Sequence, residues 1–204
     1  MQEEICREGA AYRLTNLGMI RAEALDRLLS CLIALDENAA FWQSHDISGI
    51  PAGLLADMGL LSGGQCVQDN GFVMKSLDNF LKEIAKAKHV WGVSSVIAPG
   101  HVELISGLLA SGAVVELILT KSIITLIDPG TIASWQKSDA FQLYEARDVA
   151  KAAFTVTDDM LSLGLYLPSG KYDTNQDLVC RGAGAVEWGM RLWEYYKGKA
   201  TVVR

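Results

Sequence analysis

No window of this 204-residue chain approaches the roughly 20 consecutive apolar residues that a membrane-spanning helix needs, although half of its residues are hydrophobic. Charged residues interrupt every long apolar run, so no membrane partner is expected. The N-terminus, Met1-Gln2-Glu3-Glu4, lacks the basic start and apolar stretch of a secretory signal. A cytoplasmic location is the expectation that follows. Basic residues are in the minority, 18 Lys and Arg against 24 Asp and Glu for a net charge of −6. Nucleic-acid-reading surfaces carry a basic patch or stripe, so the chain does not read as such a surface by itself. The four cysteines, Cys6, Cys31, Cys66 and Cys180, form neither a CxxC nor a Cys/His metal spacing. They are ordinary thiols on this reading, and no metal is expected. Walker A, GxGxxG and GxSxG patterns are also absent, which removes the usual grounds for a nucleotide, another cofactor or a serine nucleophile.

What remains is enough chain for one large domain, or for one domain with an appendage. Tyr12-Arg13-Leu14-Thr15-Asn16-Leu17-Gly18 alternates and meets a glycine, as a short strand ending in a turn does. From Met19 the period becomes helical. Ile20, Leu25, Leu28, Leu29, Leu32 and Ile33 form one apolar stripe on a helix expected to run to Phe41 or Trp42. Such a stripe either packs on its own domain or pairs with its copy in a dimer.

Beyond it, Pro51 opens a short helix through Met58, with Gly59 as its stop. Gly63-Gly64 marks a loop, and Ser76 caps a helix carrying Leu77, Phe80, Leu81 and Ile84. His89 to Val93, a helix from Pro99 to Gly112 and Ala113 to Leu119 make a βαβ unit with parallel strands. Helix-prone sequence from Lys121 to Ser138 precedes strands at Phe141 to Glu145, Ala152 to Val156 and Leu161 to Leu167. A closing helix spans Ala183 to Tyr196. The fold class is therefore α/β, a mixed, largely parallel sheet flanked by helices and preceded by a linker helix.

Candidate chemistry begins with Phe41-Trp42-Gln43-Ser44-His45-Asp46-Ile47-Ser48-Gly49-Ile50-Pro51, where a His-Asp pair adjoins two aromatics. Adjacent side chains point in different directions, so the pair does not by itself make a base with its orienting partner. Position says more than motif. Ligands of open α/β sheets bind outside the carboxyl ends of parallel strands, and the expected ends carry Ser94, Ser95, Thr120, Thr157 and Asp158. Tyr172 and Asp173 are placed to close this crown from one side, and Trp42, His45 and Asp46 from another. The expected occupant is a small-molecule effector.

Several ordered segments carry a family resemblance: Trp42 to Pro51, Ala87 to Ser94, Thr155-Val156-Thr157-Asp158-Asp159-Met160-Leu161-Ser162-Leu163-Gly164-Leu165-Tyr166, Gly170 to Asp173, and Ala185-Val186-Glu187-Trp188-Gly189. Together they resemble the sensor domain of archaeal methanogenesis-regulator-type transcription factors. In that family the sensor follows an N-terminal winged helix-turn-helix. The resemblance thus implies a wing remnant over residues 1–18, a linker and dimerisation helix over 19–42, and an α/β sensor over 43–204. It also implies a homodimer, and DNA contact only through a winged helix that this chain lacks or holds in truncated form.

The sensor is further similar to phospholipase-D-like effector domains of archaeal sugar-responsive regulators. The catalytic phospholipase D signature needs HxK, but Ile47 follows His45, Trp91 follows His89 and Glu103 follows His101. A non-catalytic, ligand-binding version of the fold is implied. The competing readings are a small hydrolase using His45, Asp46 and Asp158, which requires those groups to converge, and a dimerisation scaffold with no ligand.

Overall fold

A computed structural model describes residues 4–9, 11–68, 81–97, 99–147 and 150–203. The chain opens with an antiparallel hairpin, β1 (Ile5–Glu8) and β2 (Ala11–Leu14), and passes directly into α1 (Asn16–Glu37). Thr15 caps α1, its hydroxyl accepting from the Gly18 amide at 3.1 Å. The helix therefore begins ahead of Met19, and Gly18 lies inside its first turn rather than in a turn after a strand. A Cβ at Gly18 would stand 2.1 Å from the Glu4 carbonyl oxygen, so only glycine lets the helix lie this close to the hairpin.

Asn38 separates α1 from α2 (Ala39–Ser44), and its side-chain amide donates to the Gly64 carbonyl at 3.0 Å. Pro51 caps α3 (Ala52–Leu55), and a 3-10 turn follows over Met58–Leu61. Gly59 is inside that turn and does not stop a helix. Its missing Cβ admits Ser30 of α1, whose Cβ would otherwise be 2.8 Å away. Asp57 fastens three elements by accepting from Arg27 of α1 and, at 2.7 Å, from Arg191 near the C-terminus. The hydrogen bonds from Arg191 and then Arg27 hold its carboxyl below the usual carboxylate range.

The remaining strands are β3 (Gln65–Gln68), β4 (His89–Ser94), β5 (Val114–Thr120), β6 (Phe141–Ala146), β7 (Ala152–Thr157), β8 (Met160–Leu165), β9 (Gln176–Arg181) and β10 (Ala200–Val202). They form one sheet in the order β10-β6-β5-β4-β7-β8-β9-β3. The helices after β4 are α4 (His101–Ala110), α5 (Lys121–Ile124), α6 (Pro129–Trp135) and α7 (Ala183–Lys197). Of the helix expected from Ser76, residues 81–84 are helical and 76–80 lie outside the described residues.

The sheet is mixed and flanked by helices, as expected, but its balance differs from the largely parallel one anticipated. Only β4-β5 and β5-β6 are parallel, and the other pairings are antiparallel. The physical reason is connection length: parallel neighbours need a crossover, which α4, α5 and α6 supply, whereas Asp158-Asp159 alone joins β7 to β8 and can only reverse the chain.

Each face of the sheet has its own core. On one, Trp188, Leu192 and Trp193 of α7, all 0% exposed, pack with Phe41, Leu54, Leu161, Leu163 and Leu165. The Trp188 indole donates to the Leu54 carbonyl at 3.0 Å, tying α7 to α3. On the other face, Leu108, Val115, Leu143 and Trp135 join α4, α6 and the sheet. Among the described residues no helix is long and apolar enough to cross a membrane.

Candidate effector site

The second face of the sheet is left hollow at its centre. Strand alternation sends every other side chain to this face, and cross-strand pairing aligns Leu117, Gly92, Thr155, Ser162 and Val179 in one row. Its three central members are small. Parallel to it, Ser94 stands opposite Leu119 and Ala153 opposite Gly164. This floor of small and hydroxylated residues cannot fill the space beneath α4, and a cavity of about 810 Å³ results. Leu104, Leu108, Leu117, Leu119, Ile123 and Met160 wall it with hydrocarbon. Its polar groups include Ser94, Thr155, Ser162, Tyr172, Asp173 and Asp177, with Glu83 and Arg181 paired at 2.7 Å. An apolar chamber with a few converging polar groups has the character of a small-molecule site.

At its polar end the carboxyl of Asp173, 8% exposed, is held from behind by His45, whose side chain is fully buried. The Nε2 to Oδ2 distance is 3.2 Å. Asp173 Oδ1 also accepts from the Asn175 amide at 2.8 Å. Beside this pair the Tyr172 hydroxyl donates to Asp177 Oδ1 at 3.3 Å. Gly164 makes room for that bond, since a Cβ there would stand 2.0 Å from the tyrosine oxygen and 2.5 Å from the carboxylate oxygen. Burial, reinforced by the charge of Asp173 and opposed by Tyr172 and His45, pushes Asp177 up to about 6. Burial, and next the Asp177 charge, raises the Tyr172 phenol. Burial lowers His101, at the start of α4.

The residues singled out in the sequence distribute unevenly over this geometry. Ser94, Tyr172 and Asp173 line the cavity, and His45 reaches it through Asp173. Ser95 lies at the same end of the sheet but spends its hydroxyl on Tyr166 and the Ala150 carbonyl. Thr120 precedes α5 and bonds Ser122 at 3.0 Å. Asp46 turns away, accepting from the Ser48 amide at 2.8 Å and lying 3.6 Å from Lys151. The hydrogen bonds from Ser48 chiefly hold its carboxyl down. Trp42 packs edge-on against Phe41, with its indole nitrogen buried and without a hydrogen-bond partner among the described residues.

Thr157 and Asp158 require a correction. Because β7 runs antiparallel to β4, Thr157 pairs with Val90 at the opposite end of that strand from Ser94. There Asp158 accepts from the His89 ring at 2.7 Å and the Lys88 amide at 2.7 Å. Partial burial works against ionisation, but these hydrogen bonds prevail and hold Asp158 below its usual value. The crown of five strand ends is therefore two separate places.

The same geometry separates the groups a hydrolase would need, since His45 meets neither Asp46 nor Asp158. Ser44 Oγ does lie 3.0 Å from His45 Nδ1, which completes a Ser-His-Asp sequence of contacts. Its hydrogen pattern is nonetheless wrong for a nucleophile. The ring nitrogen is 2.7 Å from the Phe41 carbonyl, which accepts only, so the proton is on Nδ1. The serine hydroxyl donates to Ala40 O at 2.7 Å, and Nδ1 has no free lone pair with which to take its proton.

Sequence reasoning missed Gly92, Thr155, Ser162, Gly164, Asp177 and Arg181. A signal was present in the small residues recurring at period two along β7 and β8, where a fully packed strand would carry large ones.

A family profile described as "Methanogenesis regulatory protein FilR1, middle domain" matches residues 73–199. The methanogenesis regulatory protein FilR1 of Methanothrix harundinacea (strain 6Ac) is 33% identical over 202 residues, spanning 94% of this chain and 45% of its own length. The chain thus covers less than half of that relative. Among solved structures, the archaeal chromatin protein TrmBL2 superposes with a TM-score of 0.57 at 14% identity, covering 98% of this chain and 77% of its own. The phospholipase D family member Nuc from Salmonella typhimurium gives 0.51 at 13%, covering 70% and 98%. NucT from Helicobacter pylori gives 0.53 at 11%, covering 69% and 98%. At these identities the likeness is one of fold.

Proposed function

This chain belongs to the FilR1 middle-domain family of methanogenesis regulatory proteins, and on that premise we propose that it is the effector-binding and dimerisation part of a transcriptional regulator, without catalytic activity. The cavity carries this reading. It is large enough for a small metabolite, mostly apolar, and floored by hydroxyls, with the buried Asp173 and half-buried Asp177 at its end. The absence of HxK and the hydrogen pattern at Ser44 and His45 favour binding over hydrolysis.

The β1/β2 hairpin is read as the end of a winged helix, and α1 as the linker that joins it to the sensor. DNA contact belongs to that winged helix, and the whole acts in the cytoplasm. Instead of packing its stripe on its own domain, α1 leaves it in solvent, with Ile20, Leu25, Leu28, Leu29, Leu32 and Ile33 all 48–68% exposed. A second copy of the chain is the occupant we assign to it. Leu25, Leu28 and Leu32 follow the three-four spacing of a coiled-coil seam. Because α2 follows α1 across Asn38 and ends at His45, the helix reports on the cavity through the His45–Asp173 contact. An effector then shifts DNA affinity to the extent that it binds the two states differently.

A neutral fluorescent probe tests the cavity. N-phenyl-1-naphthylamine is expected to bind saturably, one per chain, with enhanced emission, and Ser162→Leu, which places a larger side chain on the floor, should weaken it at least about tenfold. Unchanged binding by the variant, or no saturable binding by the parent, would count against an effector site here.

A further inference from the structure

Charge pairing in the cavity narrows the chemistry of what it holds. Among the described residues three carboxylates face the space, and two already have a basic side chain as partner: Glu83 has Arg181 at 2.7 Å, and Asp173 has the His45 ring at 3.2 Å. Among the described residues Asp177 hydrogen-bonds the neutral Tyr172 phenol and has no ion-pair partner. Around Asp177 stand Tyr172 and Asp173 from the loop before β9, Arg181 from β9 itself and Tyr166 after β8. Cys66 of β3, His45 just after α2, Glu83 of the helical turn at 81–84 and His101 of α4 complete the titratable groups among the described residues. None of these supplies an unpaired positive charge beside it.

A second, separate observation concerns Ser162. The residue is only 3% exposed and lines the cavity, yet its hydroxyl makes no hydrogen bond among the described residues. Its cross-strand neighbour Thr155, also on the floor, is likewise without a side-chain hydrogen bond. The two hydroxyls sit side by side on the cavity floor with donor and acceptor capacity to spare for an occupant, and among the described residues no cation pairs with the Asp177 carboxylate at the end of that space.

We propose that the cavity takes an organic monocation, an ammonium group on an aliphatic or aromatic body. The ammonium hydrogen-bonds Asp177 and the Ser162 and Thr155 hydroxyls, and the body lies along Leu104, Leu117 and Ile123. An ammonium supplies donors to three acceptors and the missing positive charge in one group. An anionic ligand would instead meet two carboxylates in a low-dielectric space, where like charges repel strongly. A neutral ligand would leave the half-buried Asp177 without a counter-charge among the described residues. This assignment rests on the effector-site reading and specifies its ligand class.

Proton and ligand then compete for the same carboxylate. With Asp177 raised to about 6, the cation-binding form predominates above that pH and is lost as pH falls through it. Binding should be roughly tenfold weaker at pH 5 than at pH 7.5.

Calorimetric titration with hexylammonium, 1-hexanol and hexanoate at both pH values, on the full chain and on Asp177→Asn, tests the assignment. Hexylammonium should bind at least about tenfold more tightly than the other two at pH 7.5, lose that advantage at pH 5 and lose it in Asp177→Asn. Circular dichroism checks that the variant folds, and Ser162→Ala, expected to weaken hexylammonium more than hexanol, gives a second test. Equal or tighter binding of hexanol or hexanoate would overturn the cation assignment while leaving the cavity as a site. Failure of all three to bind, with the neutral fluorescent probe still bound, would do the same. Failure of both the three compounds and the probe would remove the effector-site reading itself.

Discussion

Replacing His45 with alanine is expected to lower the unfolding free energy by about 3–5 kcal/mol, the largest loss predicted for a single polar side chain of this protein. The magnitude comes from what stays behind. Asp173 would keep its buried position, 8% exposed, but lose the ring nitrogen facing Oδ2. The Phe41 carbonyl would lose its donor at 2.7 Å, and Phe41 would lose a ring packed at a centroid distance of 4.3 Å. For a chain of this size the melting temperature should fall by about 10 °C. Asp173→Asn should rescue part of the loss, because it removes the stranded charge. Urea denaturation of the two single variants and the double variant gives the coupling energy directly, and a double variant no more stable than the additive sum would refute the buried pair. The same substitution severs the contact through which α2 meets the cavity, so binding in the His45→Ala protein should no longer be felt at α1.

Leu28→Glu with Leu32→Glu is expected to convert a dimer to a monomer without unfolding the chain. Both leucines are about half exposed in the single protomer, at 54% and 48%, and surface changes of this kind generally cost little in the folded monomer. In a dimer the two would face the partner helix. Burying a leucine contributes about 1.5–3 kcal/mol, so losing two per protomer and placing carboxylates in the seam should weaken dimerisation by a thousandfold or more. Sedimentation equilibrium over a concentration series measures this. A parent chain that stays monomeric throughout, or a variant with unaltered association, would contradict the assignment of α1.

The parts of the fold that were legible in the sequence are those where local pattern and packing agree. The strand-helix-strand unit from His89 to Thr120 and the closing helix are of this kind, since their apolar periods match the cores they enter. The glycines misled because their roles are tertiary. Gly18 and Gly59 permit close approach of backbone from distant segments, which no local signal encodes. The β9 strand escaped notice because Asp177 and Arg181 line the cavity at positions where a packed strand would carry hydrocarbon, so its alternation does not read as a core strand.

The His45-Asp46 pair was visible at once, but adjacent residues took opposite courses. His45 runs inward to a residue 128 positions away, while Asp46 caps a surface turn. The crown failed for a topological reason. Polar residues at strand ends gather only if the strands point the same way, and β7 does not follow β4. A hollow made by small residues is harder to read than a motif, because its signal is missing volume.

Methyl-region NMR of a chain labelled at isoleucine, leucine and valine, titrated with N-phenyl-1-naphthylamine, tests the central claim that this sheet-face cavity is the effector site and that α1 responds to it. The account predicts saturable shifts at Leu104, Leu117, Leu119 and Ile123, and smaller ones at Leu28 and Leu32 that disappear in His45→Ala. Shifts confined to the α7 face of the sheet, or none at the cavity methyls at saturating probe, would contradict it.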